Sequence, residues 1–214
     1  MGNFNGRSIV RATIIALSLL GAKSSAFACE GKTVIFEDKF EDDLGGWDVD
    51  KAITFEKSGM NMKVPNDATS YRELNNAFFI KDADICLEAP WPTTPPDANP
   101  GVGIVFWAAD YANLFLYQAQ INGNVGLYRY VNKNWVTVSS QDAPTLKKNS
   151  GDSNLLRITL KGNLVSMYVN GTKLKDIRAQ APTTDARFGV YAQRSKAGSD
   201  QIYVFKSIKV TTID

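Results

Sequence analysis

The sequence predicts an all-β, two-sheet antiparallel sandwich or jelly roll. Three observations point there. Short runs alternating apolar and polar residues at period two follow one another along the chain. Turn signals built from Gly, Asn, Asp and Pro separate them, and nothing longer than a turn has helical periodicity. About a dozen such runs fall within one domain's length, the pattern of a sandwich and not of alternating strands and helices.

The first element in order stands outside the sandwich. Arg7 and Arg11 precede an apolar run from Thr13 to Ala22, and small residues lead to Ala26-Phe27-Ala28. This is the layout of a secretory signal peptide, with cleavage expected after Ala28. The apolar run is about ten residues, against the roughly 20 that a spanning helix needs, and no later segment is long enough to cross a bilayer. The expected organisation is a signal peptide at 1–28 and a single sandwich domain at 29–214, exported to the periplasm or the medium.

Removing residues 1–28 takes away Arg7, Arg11 and Lys23 and no acid, so the formal charge of +2 becomes −1 on a chain of 186 residues. That balance offers nucleic acid no attraction. Cys29 and Cys86 are the only cysteines, and in an exported chain they are expected to form a disulfide. Lipidation of Cys29 is the alternative, although Ala26 and Phe27 depart from the Leu and small residue preferred before a lipidated cysteine. The chain contains no His, which excludes His-based nucleophile systems, His-ligated zinc and imidazole acid–base chemistry. No phosphate loop, dinucleotide fingerprint or metal-ligand spacing is present, so no cofactor or metal is expected.

The candidate strands are residues 33–40, 52–56, 61–64, 77–80, 83–89, 102–108, 114–121, 125–131, 135–139, 155–161, 164–170, 188–193 and 202–211. Two hairpins can be registered. A two-residue Gly162-Asn163 loop sets Lys161 opposite Leu164, with Leu156, Ile158, Leu160, Val165, Met167 and Val169 on one face and Arg157, Thr159, Ser166 and Tyr168 pointing outward. A three-residue turn at Asn122-Gly123-Asn124 places Phe115, Tyr117, Ala119, Ile121, Val125 and Leu127 on the core face, and Gln118, Gln120, Tyr128 and Tyr130 on the other. Asn170-Gly171-Thr172 matches a glycosylation sequon but reads as a hairpin turn. The proline-rich stretch from Pro90 to Pro100 reads as a stiff surface loop, whose Trp91 either overhangs a rim or anchors the loop. Trp47, after Gly45-Gly46, reads as a structural plug.

The order of landmarks is informative. Phe36-Glu-Asp-Lys-Phe40 and Gly46-Trp47 come first, then Gly103-Ile-Val-Phe-Trp107 and Tyr111-Ala-Asn-Leu-Phe-Leu-Tyr117. Asn122-Gly123, Tyr128-Arg129 and Asn134-Trp135 follow. Asn154-Leu-Leu-Arg-Ile158, Tyr168-Val-Asn-Gly171, Phe188-Gly-Val-Tyr191 and a closing strand through Val204-Phe205 complete the series. In this order the chain resembles the concanavalin A-like lectin/glucanase superfamily, and most of all the laminin-G-type and 3-keto-disaccharide hydrolase-like jelly rolls of exported bacterial proteins. The resemblance implies two packed sheets, one curved, whose concave face often binds sugars. It also marks departures. Where relatives carry a Phe-Asp pair that helps hold calcium with an N-terminal acid, this chain has Phe205-Lys206 beside Glu37 and Asp38. Laminarinase-type enzymes carry carboxylates at period-two spacing on one strand. The nearest pattern here, Asp82-x-Asp84-x-Cys86-x-Glu88, is displaced and interrupted by the cysteine, and reads as solvated acids on a strand face.

Sugar recognition needs flat rings to stack on pyranose faces and amide, carboxylate or guanidinium groups to grip hydroxyls. The candidate ligand-binding residues are Trp107, Asp110, Gln118, Gln120, Tyr128, Arg129, Tyr130 and Trp135, with Trp107 expected on the outward side. No catalytic residue is assigned. The leading expectation is a non-catalytic module that binds a glycan or a cell-envelope component. The alternatives are a carboxylate-dependent glycoside hydrolase or 3-keto-glycoside-cleaving enzyme, and a structural protein-interaction module of the envelope.

Overall fold

The computed structural model describes residues 29–93, 99–194 and 200–213. The expected signal peptide at 1–28 and the middle of the proline-rich stretch lie outside the described residues. One six-stranded sheet has the order β1 (Val34–Asp38), β15 (Ser207–Thr211), β5 (Ala83–Pro90), β10 (Ser153–Lys161), β11 (Leu164–Val169), β12 (Thr172–Arg178). A second has the order β4 (Ser70–Ile80), β13 (Ala186–Gln193), β6 (Gly101–Asp110), β7 (Asn113–Gln120), β8 (Asn124–Val131), β9 (Asn134–Asp142). A small sheet of β14 (Gln201–Phe205), β3 (Gly59–Val64) and β2 (Ile53–Glu56) completes the fold. Every pairing is antiparallel. No helix among the described residues is long and apolar enough to cross a membrane.

The core lies between the two large sheets because period-two alternation gives each an apolar inner face. Ile85, Leu87, Leu156, Ile158, Met167 and Val210 of the first sheet meet Val102, Ile104, Tyr117, Leu127, Phe188 and Val190 of the second, all fully buried. The Tyr117 hydroxyl spans the layers and donates to the Tyr168 carbonyl at 2.9 Å, which satisfies a polar tip that would otherwise be stranded. Trp47 plugs one end against Phe36, Phe40 and Phe188, its indole N–H donating to Asp38 at 2.8 Å. Trp91 is buried and donates to the Lys147 carbonyl at 2.6 Å, so it anchors its loop.

The β10–β11 hairpin has the expected register, with Lys161 opposite Leu164 and Leu156 opposite Val169. The β7–β8 hairpin keeps the expected faces, but its turn is Ile121-Asn122-Gly123 and Ala119 pairs with Val125. Moving the turn by one residue on each side preserves parity, and parity alone decides which side chains share a face. Asn170 and Gly171 both take positive φ, 48° and 81°, as a tight hairpin turn requires.

Three expectations are corrected. Arg157, Thr159 and Ser166 do sit on the outer side of their hairpin, but they are buried. Arg157 is held by Asp84 at 2.8 Å and Glu30 at 2.9 Å. Of the acids read as solvated, Asp84 is buried in that ion pair, whereas Glu88 is half-buried and accepts from the Ser153 hydroxyl at 3.0 Å and Asp82 is exposed. The expected closing strand at 202–211 is two strands, broken at Lys206 and assigned to different sheets.

The Cys29–Cys86 disulfide closes 57 residues of chain and lies on the same outer face, with Cys86 opposite both Arg157 and Lys209. Its contribution is ~4 kcal/mol in the chain-entropy model.

Candidate functional site

The outer face of the second sheet carries a second apolar cluster of Leu74, Val105, Leu114, Leu116 and Tyr191, with Tyr128 and Tyr130 packed against it. Strand register explains this selection. Gly103 pairs with both Tyr191 and Gln118, and Gly101 with both Gln193 and Gln120. The outer positions of β6 near these residues are therefore bare backbone, and the side chains of β13 and β7 lean over it. A Cβ added at Gly101 would lie 2.3 Å from Gln118 Nε2, and one at Gly126 would lie 2.5 Å from the Tyr128 ring. Glycine inside these strands marks a close approach of side chain to backbone.

The result is an open hollow of about 300 Å³, with Gln118, Gln120 and Gln193 supplying amides, and Tyr128, Trp135 and Tyr191 supplying rings. Gln118 Nε2 donates to Gln193 Oε1 at 2.5 Å, and the Tyr191 hydroxyl reaches the same oxygen at 3.3 Å. Trp135 stands 42% exposed. Its ring lies 4.5 Å from Tyr130, 6.4 Å from Tyr128 and 6.1 Å from Tyr191, so it is braced on three sides with one face open. Burial raises the pKa of the Tyr128 and Tyr191 hydroxyls, which keeps both as neutral hydrogen-bonding groups at ordinary pH. A rigid surface of open ring and amide is suited to holding a flat polyhydroxylated molecule.

A second cleft, of about 240 Å³, opens where β6, β7 and β8 meet the β12–β13 connection, and Trp107, Phe115, Arg129, Tyr130, Gln180 and Pro182 are among its lining residues. Tyr130 is among the cleft's lining residues and its ring lies 4.5 Å from Trp135, while Arg129, opposite the core-face Phe115, sits on the inter-sheet side, away from the hollow.

The eight candidate residues thus divide. Gln118, Gln120, Tyr128 and Trp135 line the hollow. Trp107, Arg129 and Tyr130 line the cleft. Asp110 lines neither: it accepts from the Ala112 N–H at 2.6 Å and the Asn113 amide at 3.0 Å, hydrogen bonds that lower its pKa and fix the β6–β7 turn.

The outward placement of Trp107 is corrected. The ladder to β7 breaks between Phe106 and Asp110, and Trp107 takes φ 48°. This bulge turns both Phe106 and Trp107 inward, and the buried Trp107 indole donates to the Lys81 carbonyl at 2.8 Å. Residues the sequence reading missed include Tyr191, Gln193, Ser70 and Thr137. Alternation along residues 188–193 carried the signal, because Phe188, Val190 and Ala192 face in and Gly189, Tyr191 and Gln193 face out.

Among the described residues no carboxylate lines either opening. Asp82, Asp84 and Glu88 belong to the other sheet or its edge, where Asp82 accepts from the Gly162 N–H at 2.9 Å. A calcium site at the N-terminal acids does not fit the residues present. Glu37 pairs with Lys209 at 3.2 Å, Asp38 is engaged by Trp47 and Phe40, and Lys206 donates to the Ser58 carbonyl.

No family model matches the chain, and no curated protein matches it. Solved structures do. A carbohydrate-binding module, CBM66 from Bacillus subtilis, superposes with a TM-score of 0.63 at 14% identity, covering 79% of this chain and 96% of its own. A Bacillus licheniformis β-glucanase gives 0.62 at 10% identity, covering 83% and 98%. A β-1,3-1,4-glucanase (lichenase) from a mouse hindgut metagenome gives 0.64 at 9% identity, covering 83% and 99%. At such identities the likeness speaks for fold and leaves activity to the site. The chain has the concanavalin A-like jelly-roll fold that these structures share.

Proposed function

We propose that the protein is an exported, non-catalytic carbohydrate-binding module that holds a glycan, free or part of a cell envelope, in the hollow on the outer face of the second sheet. The observation that carries this reading is the convergence of the Trp135, Tyr128 and Tyr191 rings with the Gln118, Gln120 and Gln193 amides on one open surface. Rings supply stacking area and amides grip hydroxyls, and both rest on strands rather than loops. The structural neighbours include a carbohydrate-binding module and two glucanases, which supports a carbohydrate ligand. Binding is favoured over hydrolysis because glycoside cleavage ordinarily uses two carboxyl groups about 5–9.5 Å apart, and among the described residues no carboxylate lines the hollow. The disulfide supports an oxidising compartment.

A glycan-array screen of the secreted, oxidised protein tests the reading. The expected result is retention by at least one glycan class, lowered about tenfold or more by Trp135→Ala. A wild-type protein that binds nothing, or a Trp135→Ala protein that binds as well as wild type, would overturn it.

A further inference from the structure

β9 closes one edge of the second sheet, and among the described residues no strand pairs with its outer side. From Asn134 to Gln141 it carries no charge, and Trp135, Val136 and Val138 are exposed. Free edges are ordinarily guarded by charge, brevity or a bulge. β12, an edge of the first sheet, is guarded by charge, with Lys173, Lys175, Asp176 and Arg178 among its 7 residues. β9 has only a bulge. Tyr128 pairs with Thr137 but Leu127 with Ser139, so Val138 is the extra residue. Before the bulge, Trp135 and Thr137 share the outer face with Tyr130 and Tyr128. After it, Ser140 and Asp142 lie on that face, opposite Gly126 and Asn124. The outer residues are thus odd-numbered before the bulge and even-numbered after it.

This change of phase selects the partner. A regular strand laid antiparallel along β9 can match faces with one half only, because its own alternation never shifts. A second β9, turned about a two-fold axis through the bulge, shifts at the same point and matches both halves. Its Ser140 then lies opposite Thr137 and its Asp142 opposite Trp135, with the two Val138 residues beside the axis. The ends of the strand are complementary in charge. Lys133, in the β8–β9 turn, and Asp142, at the last position of β9, are exposed, and neither is ion-paired among the described residues. The antiparallel arrangement sets Lys133 of each copy diagonally across from the partner's Asp142, a contact made twice by symmetry. From these observations we propose that two copies of this chain form a symmetric dimer through β9. Their second sheets join into one continuous sheet, and both hollows open on its outer face with the two Trp135 rings flanking the axis. The dimer itself does not depend on the glycan-binding reading; where that reading holds, one sugar chain crossing the axis meets both hollows.

The test is analytical ultracentrifugation of the oxidised protein over a range of concentrations at low and high salt. The expected result is a reversible monomer–dimer equilibrium that weakens as salt rises. Lys133→Asp and Asp142→Lys should each weaken the dimer about tenfold, since every substitution is repeated across the axis. The double variant Lys133→Asp/Asp142→Lys should recover it, because the pair is exchanged and not removed. Asp suits position 133, where φ is 65°. Circular dichroism checks that each variant is folded. A wild-type monomer at every concentration, assembly beyond two copies, a dimer indifferent to both single substitutions, or a double variant that does not recover would overturn the proposal. The glycan array reads the other claim separately: a monomer that binds glycans leaves the binding reading in place, and a β9 dimer that binds none leaves this one.

Discussion

Gln118 on β7 donates its amide to Gln193 on β13 across the intervening strand β6, and it does so because β6 presents Gly101 and Gly103 beneath the pair. The contact links the ends of two side chains over bare backbone and fixes amide groups at the floor of the hollow. Gly101→Ala tests this directly. The added Cβ would fall 2.3 Å from Gln118 Nε2, so the flexible amide must move and the Gln118–Gln193 bond is lost. The expected stability change is within about 1 kcal/mol by urea denaturation, because a side-chain end yields more readily than backbone. Glycan affinity should fall severalfold. Unchanged affinity would show that the paired amides do not shape the site.

Two tryptophans should behave in opposite ways. Trp107 is buried among Phe106 and Phe115, so Trp107→Ala should cost about 3–5 kcal/mol of stability. Trp135 is partly open, and Trp135→Ala should cost no more than about 1 kcal/mol. Chemical denaturation of the two variants side by side distinguishes them, and similar losses would contradict the inward turn of Trp107.

The disulfide and the ion pair beneath it tie the start of the described chain to β5 and β10. The Glu30 N–H donates to Asp84 at 2.8 Å, in the same cluster as Arg157. Reduction, or a Cys29→Ser/Cys86→Ser variant, should lower stability by ~4 kcal/mol in the chain-entropy model. Asp84→Ala should cost about 3–5 kcal/mol, because it leaves the buried Arg157 without its best partner. Melting temperatures of oxidised and reduced protein check the first, and an Asp84→Ala melt the second. Indifference to reduction would refute the staple.

Glu73 gives a pH signature. Desolvation by burial, reinforced by Asp48 and Asp50, raises its carboxyl pKa to about 7. The folded protein therefore holds a proton on Glu73 between its ordinary range and about 7, where the unfolded chain has released it. Stability from this group is full below the ordinary carboxylate range and falls as pH rises through about 7. Glu73→Gln keeps an oxygen to accept from the Asp48 N–H and removes the titration. The variant should lose this component of the pH dependence and gain up to about 3 kcal/mol at pH 8 relative to wild type. Urea midpoints at pH 5 and pH 8 measure it. Equal pH slopes in the two proteins would contradict it.

Much of this was legible in the sequence where alternation is regular. The Gly162-Asn163 loop fixed Lys161 against Leu164, and the hidden parity of the β7–β8 hairpin survived a displaced turn. The expectations failed where a bulge breaks period two. Trp107 follows Phe106 inward through one bulge. Another, between Met167 and Tyr168, leaves Leu174 of β12 without a direct partner, and the resulting spacing of Leu174 and Ile177 concealed that strand. The first half of β4 was missed because Tyr71-Arg72-Glu73-Leu74 has no simple alternation: Glu73 is buried and Arg72 crosses over a ring. Of the site, the amides and Trp135 were readable from hairpin parity. Tyr191 and Gln193 were not assembled with them, since only sheet order reveals that β13 lies two strands from β7.

The central claim is that the outer face of the second sheet holds a glycan. Chemical-shift mapping of the oxidised, isotope-labelled protein tests it most directly, by following the Trp135 indole N–H and the Gln118 and Gln193 side-chain amides during titration with the glycan that the array selects. The account predicts that these three signals move together and saturate at one affinity. Shifts confined to the opposite sheet or to loops away from the hollow, with these three unmoved, would contradict it.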